Sequence, residues 1–266
     1  MLKVSEAVER ISENFPESIQ EDYDNTGVQV VFSDEIVKGI YICLDADIDT
    51  INDAIRNGCN LIISHHPVLF RSIRKIISDD AHSRSIIKLI DNRVSLFAMH
   101  TNFDKIMYYY LSERAGFDRG SVLIKQGYID EHELGFGSLV SLKNKITLKE
   151  LIETLKKNLD LDYVIYSGDL SANIESAAFL NGAGGGSIEK VISTSKPDCV
   201  VTGDVGYHHV KYALDNNVCV VDAGHFGTEI IFKKLLAECI KDIINVRDIA
   251  VNIVISSSEK NPFKVY

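Results

Sequence analysis

Short β-branched runs alternating with amphipathic stretches predict an α/β protein with a mainly parallel central sheet and a metal site in the cleft at its strand C-terminal ends. Three observations carry this prediction. A strand–helix–strand rhythm fills residues 38–99, the same rhythm returns over 198–243, and six of the eight histidines follow directly on apolar, strand-like runs.

The elements read in order as follows. KGIYICLD (38–45) is a strand, and DIDTINDAIRN (47–57) is a helix with Gly58 where a C-terminal cap belongs. CNLIIS (59–64) is a strand, SRSIIKLIDN (83–92) a helix and RVSLFAM (93–99) a strand, an order that calls for right-handed crossovers and parallel pairing. The middle of the chain, with HELGFGSLVSL (132–142), TLKELIETLKKNL (147–159), DYVIYSG (162–168) and IESAAFLNG (174–182), predicts a second, smaller α/β lobe over 126–194. Residues 1–125 and 195–266 then form the main lobe, which carries the metal ligands. Its late elements are the strands DCVVT (198–202) and VCVVD (218–222), the helices YHHVKYALDN (207–216) and TEIIFKKLLAECIKDI (228–243), and an edge strand AVNIVIS (250–256).

Composition narrows the function classes. Of 266 residues, 28 are Lys or Arg and 38 Asp or Glu, for a net charge of −10, which argues against a duplex nucleic-acid binder because phosphate neutralisation needs a basic face. With 45% hydrophobic and 25% charged residues, the chain is neither disordered nor a coiled coil. The N-terminal MLKVSEAVERISENF is interrupted by charges, and no apolar run nears the roughly 18–20 residues of a membrane span, so a soluble, cytoplasmic protein is expected. Five cysteines without a CxxC pair suggest neither a disulfide framework nor a thiolate zinc site.

The chemistry gathers where strands end. LIIS is followed by His65 and His66, SLFAM by His100 and Asp104, CVVTG by Asp204, His208 and His209, and CVVDAG by His225 and Glu229. Beyond the end of a strand, with Pro67 restricting the turn, the adjacent imidazoles of His65 and His66 can splay toward one cleft. His225 and Glu229 are spaced i, i+4, so a helix starting here stacks them on one face. With Asp104 these residues form a nitrogen and oxygen donor set suited to two divalent cations, with zinc, manganese or iron favoured over magnesium. His100, His208 and His209 are the candidates for proton transfer. Two stretches stay open. NGAGGGS (181–187) fits either a phosphate cradle or a tight turn, and Asp24–Asn25 fit either an Asx turn or a support for the site.

DNTGV (24–28), SHHPVLF (64–70), HTNFD (100–104), ELGFGSL (133–139), NGAGGGS (181–187), TGDVGYHH (202–209) and DAGHFGTE (222–229) resemble, in order, the motifs of the GTP cyclohydrolase I type 2 homologues, or NIF-three-like family. The resemblance implies two related α/β lobes, a ring-shaped homohexamer and a dinuclear metal centre with His65, His66, Asp104, His225 and Glu229 as ligands. Tyr23 stands where the family often has tryptophan, and the chain is too short for the inserted domain of longer relatives. The implied activity is hydrolytic opening of GTP to dihydroneopterin triphosphate and formate. The same donor set would also serve a nucleotide phosphoesterase, or a non-catalytic metal-binding assembly or regulatory protein.

Overall fold

The computed structural model describes residues 1–244 and 251–266. The chain divides into two compact units, Met1–Phe103 with Phe232–Lys260, and Asp104–Ile231 with Asn261–Tyr266.

Unit 1 contains α1 (Val4–Asn14), β1 (Gly27–Val30), β2 (Ile40–Cys43), α2 (Ile48–Arg56), β3 (Leu61–Ser64), α3 (Ala81–Asp91) and β4 (Ser95–Ala98). Its sheet has the order β1-β4-β3-β2 and is completed by the edge strand β11 (Ile253–Ile255); β4, β3, β2 and β11 run parallel and β1 antiparallel. Every residue of β2, β3 and β4 is buried, as expected of parallel strands covered on both faces. Tyr41, Cys43, Ile62 and Leu96 meet Ile51 and Ala54 of α2 and Leu89 of α3 in one core cluster. Asp47 caps α2 by accepting the Thr50 N–H at 2.8 Å, and Gly58 takes φ +71° just past the helix end. Antiparallel β1 brings the start of its strand to the edge where its neighbours end: Gly27 pairs with Ala98, so the preceding Asp24–Asn25 turn lies at the parallel strands' C-terminal edge.

Helix α4 (Thr101–Ile106) carries the division between the units, and α5 (Tyr110–Arg114) opens the rest of unit 2. There follow β5 (Ser121–Ile129), β6 (His132–Thr147), α6 (Leu148–Asn158), β7 (Ile165–Ser167), β8 (Asn173–Phe179), α7 (Ile188–Ser195), β9 (Cys199–Thr202), α8 (Tyr207–Asp215), β10 (Cys219–Asp222) and α9 (His225–Glu229). The sheet order is β5-β6-β8-β9-β10-β7, with a parallel centre of β8, β9 and β10 and antiparallel pairing on both flanks. Thr147 and Glu150 form a capping box at α6, whose Leu148, Leu151 and Leu155 join Phe179, Val201 and Val221 in the core.

The compact units divide at 103/104 and 231/232, where the sequence reading sets a lobe over 126–194 apart from 1–125 and 195–266; β9 and β10 pair with β8 in the second sheet. The four histidine-bearing strands occupy two sheets as the neighbours β3–β4 and β9–β10. One expectation is corrected. The helix expected over 228–243 is broken: α9 ends at Glu229 and α10 (Phe232–Ile244) begins after a turn at Ile230–Ile231. No glycine or proline marks that break. Its apolar stripe serves two cores, and the chain changes unit between Ile231 and Phe232. Of the expected edge strand 250–256, residue 250 lies outside the described residues and Ile253–Ile255 is formed.

A buried ion pair ties α10 to the functional edge of unit 1. Lys233 Nζ donates to the Ser256 carbonyl at 2.8 Å and to Glu259 Oε2 at 2.9 Å, while Glu259 Oε1 accepts the N–H groups of Leu44 and Asp45 at 2.7 and 2.9 Å. Removing one member strands a buried charge and two backbone donors. Glu259→Ala is therefore expected to lower the unfolding free energy by about 3–5 kcal/mol, and Glu259→Gln, which keeps an acceptor oxygen, by less; urea unfolding measures both.

Candidate metal centre

In unit 1, the ends of adjacent strands place His65 and His66 after β3 and His100 after β4. One donor nitrogen from each lies within 4.8 Å of the others. His65 is buried, its ring stacked on that of Phe232 with centroids 5.5 Å apart. Its Nδ1 lies 2.8 Å from the Met99 carbonyl, which can only accept, so Nδ1 carries a proton. His66 Nδ1 donates to Asp45 Oδ1 and His100 Nδ1 to Asp24 Oδ1, each at 2.8 Å.

Asp24 also accepts the Thr101 N–H at 3.0 Å, the Thr101 hydroxyl and the Asn25 N–H at 2.8 Å. Burial alone would raise its pKa, but the hydrogen bond and charge of His100, with the Thr101 and Asn25 donors, hold it down at about 2. The turn is therefore a support for His100 and not an Asx turn, since the Asp24 carboxylate takes the N–H of the next residue while the Thr26 N–H donates to Gln20 Oε1.

In unit 2, β10 ends at Asp222 and α9 begins at His225. The i, i+4 stacking is realised, with His225 Nε2 2.9 Å from Glu229 Oε2. His225 Nδ1 donates to Asp204 Oδ2 at 2.8 Å. Asp104 and Glu229 are both buried, and a carboxylate oxygen of one lies within 4.8 Å of one of the other. Asp222 staples the surrounding loops by accepting the Val205 N–H at 3.0 Å and the Gly224 N–H at 2.9 Å.

The glycine-rich turn has a specific place here. Gly182 takes φ +58°, and a Cβ on it would lie 2.1 Å from Glu229 Oε1 and 3.3 Å from His225 Nε2. Its N–H is held by Thr228 Oγ1 at 2.9 Å. The residue leaves room beside the donors that no side chain could share. Gly184–Ser187 form a short 3₁₀ turn leading into α7.

His208 and His209 stand apart. They lie in the first turn of α8, His208 is exposed against the Tyr207 ring, and neither belongs to a donor cluster among the described residues. Burial raises all five thiols, Cys59 and Cys239 to about 11, which leaves the available donor set as nitrogen and oxygen. Three groups that aim the imidazoles carry no distinctive motif in the sequence: the carboxylates of Asp45 and Asp204, and the Met99 carbonyl, which no side-chain pattern reveals. Strand-end position was the signal available for the two carboxylates.

Two mixed α/β units, one offering histidines at its sheet's C-terminal edge and the other a histidine with the carboxylates of Asp104 and Glu229, define a candidate metal-binding α/β protein. The profile of the Duf34/NIF3 (NGG1p interacting factor 3) family matches residues 2–262, and the chain belongs to this family. It is 34% identical to a GTP cyclohydrolase 1 type 2 homolog of Clostridium acetobutylicum over 99% of this chain and 98% of that protein. It is 31% identical to a Campylobacter jejuni protein of the same name over the whole of both. A Bacillus cereus protein related to NIF3 shares the fold with a TM-score of 0.92 at 20% identity, covering 100% of this chain and 99% of that one. Among the described residues, no helix is long and apolar enough to cross a membrane.

Two measurements check this geometry. Gly182→Ala should displace Glu229 and reduce bound metal to less than half the parent's content by elemental analysis, with parent-like circular dichroism. Asp24 has a folded pKa below its ordinary 3.8, so its stabilisation is complete above about pH 4 and disappears as pH falls toward 2. Relative to the parent, Asp24→Asn should lose about 2 kcal/mol of stability at pH 5 and little at pH 2, as read by urea unfolding.

Proposed function

We propose that the chain is a dinuclear metal-dependent hydrolase whose two divalent cations are held by His65, His66, Asp104, His225 and Glu229, with GTP as the candidate substrate. The observation that carries this reading is the common orientation of the imidazoles. His65, His66 and His225 each commit Nδ1 to an oxygen acceptor, which turns the opposite Nε2 edge of each ring to the side where a cation would be held, His225 Nε2 standing 2.9 Å from Glu229 Oε2. The hollow kept by Gly182 and the absence of thiolates fit zinc, manganese or iron.

Cations bound by this set would supply Lewis-acid chemistry, polarising the attacked centre and acidifying water. The chain's own residues do the rest. Asp45 and Asp204 keep their imidazoles turned and partly offset the charge of the ions. His100, fixed by Asp24, offers Nε2 as the atom that holds and passes a proton. Phe232 and Phe103 wall the His65 side with apolar surface and exclude water. The curated relatives' name, GTP cyclohydrolase 1 type 2 homolog, supports GTP opening, with formate and dihydroneopterin triphosphate as products. A cytoplasmic homohexamer completes the reading.

Elemental analysis should find two cations per chain, falling below half in His65→Ala and in Glu229→Ala. Metal-loaded protein incubated with GTP should release formate and a fluorescent pterin. No product above the His65→Ala control overturns the assignment; phosphate without formate selects a phosphoesterase, and tight metal binding without turnover selects an assembly or regulatory role.

A further inference from the structure

Unit 1 presents a second set of groups beside the histidine cluster. Tyr23 and Phe70 are 64% and 45% exposed, yet their rings meet edge to face with centroids 6.4 Å apart. Phe70 in turn meets His100 edge to face at 6.2 Å. Exposed aromatic rings gain little from burial, and hydrogen bonds hold this pair in place instead. The Leu69 N–H donates to Gln29 Oε1 at 2.9 Å, and Asn25 Nδ2 donates to the Leu69 carbonyl at 2.8 Å, so the backbone is clamped just before Phe70.

The chain then runs to Asp80 without regular secondary structure, a length that in a compact domain usually serves function. This stretch carries Arg71, Arg74 and Lys75, all exposed, and none meets a carboxylate among the described residues. Between Asp53 and Asp79 there is no acidic residue at all, although the whole chain has 38 acids against 28 bases. A solvating surface of this acidic protein would mix both signs. A run of one sign beside exposed π-faces suits a ligand that is flat and aromatic at one end and multiply anionic at the other.

We propose that Tyr23 and Phe70 form a stacking subsite for the heterocycle of a mononucleotide, and that Arg71, Arg74 and Lys75 receive its phosphates. This deepens the hydrolase reading and rests on it for the location of the reacting centre; binding itself needs no turnover. The net charge of −10 favours a mononucleotide over a long polyanion, which the rest of the surface would repel.

The test uses the full chain stripped of metal with EDTA, so that binding is read without chemistry. GTP, inorganic triphosphate, guanosine and a single-stranded oligonucleotide are titrated by calorimetry. Tyr23→Ala and Phe70→Ala should each weaken GTP tenfold or more and leave triphosphate within twofold, while Tyr23→Trp keeps GTP binding. Arg71→Ala/Arg74→Ala/Lys75→Ala should weaken GTP and triphosphate together, flatten the salt dependence and spare guanosine. The subsite is overturned if stripped parent protein does not bind GTP, or if Tyr23→Ala, Phe70→Ala and the triple variant all bind it like the parent. It is equally overturned if the oligonucleotide binds more tightly than GTP, or if Tyr23→Ala changes only the mass seen by light scattering, which would make the aromatic pair a contact between copies. GTP binding with no formate from metal-loaded protein keeps the subsite and removes the hydrolase reading; formate with parent-like KM in the triple and Tyr23→Ala variants does the reverse.

Discussion

A hydrogen bond at Nδ1 turns a strand-end histidine into an aimed donor, and in this protein every such bond comes from the neighbouring strand. His65, after β3, is held by the carbonyl that follows β4; His66 by Asp45, which follows β2; His100 by Asp24, which precedes antiparallel β1; and His225, after β10, by Asp204, which follows β9. The imidazoles are therefore only as well placed as the register of the sheets. A slip in pairing would move donor and acceptor apart together, so the stability of the sheet edge and the geometry of the donors are one property.

The space around those donors is obtained with backbone conformations that most residues avoid. Asp204 itself is left-handed at φ +54°, and a Cβ on Gly203 would lie 2.5 Å from the backbone nitrogen of His225. A left-handed non-glycine residue such as Asp204 costs of order 1–3 kcal/mol and persists where the surroundings hold it. Here the surroundings include Asp222, which grips both the Asp204 and the His225 loops through Val205 and Gly224. In unit 1 the comparable grip is the Lys233–Glu259 pair, whose carboxylate holds the amide of Asp45 and so reaches His66 through one further residue. Both grips use a carboxylate to collect orphan amides at a strand end.

The thiols follow the opposite logic. Cys43, Cys199 and Cys219 lie within strands and are buried, so desolvation keeps them protonated and they pack as small apolar groups. The strand thiols are thereby confined to cores, while nitrogen and oxygen donors occupy the strand ends.

The sequence by itself determined most of the alternating strands and helices and the placing of histidines just beyond strand ends, because apolar runs and the residues that follow them are local in the chain. Periodicity placed α2, α3, α6 and α8 closely, and the i, i+4 spacing of His225 and Glu229 correctly implied a helical turn. Tertiary structure alone decided which strands share a sheet, and so moved β9 and β10 into unit 2 and broke the late helix at Ile230–Ile231. It also decided that Gly182, among the glycines of its turn, stands against Glu229, and which acceptor holds each Nδ1. Strand pairing joins residues far apart in sequence, and a single chain carries no local record of which of several equally apolar strands will be its neighbour.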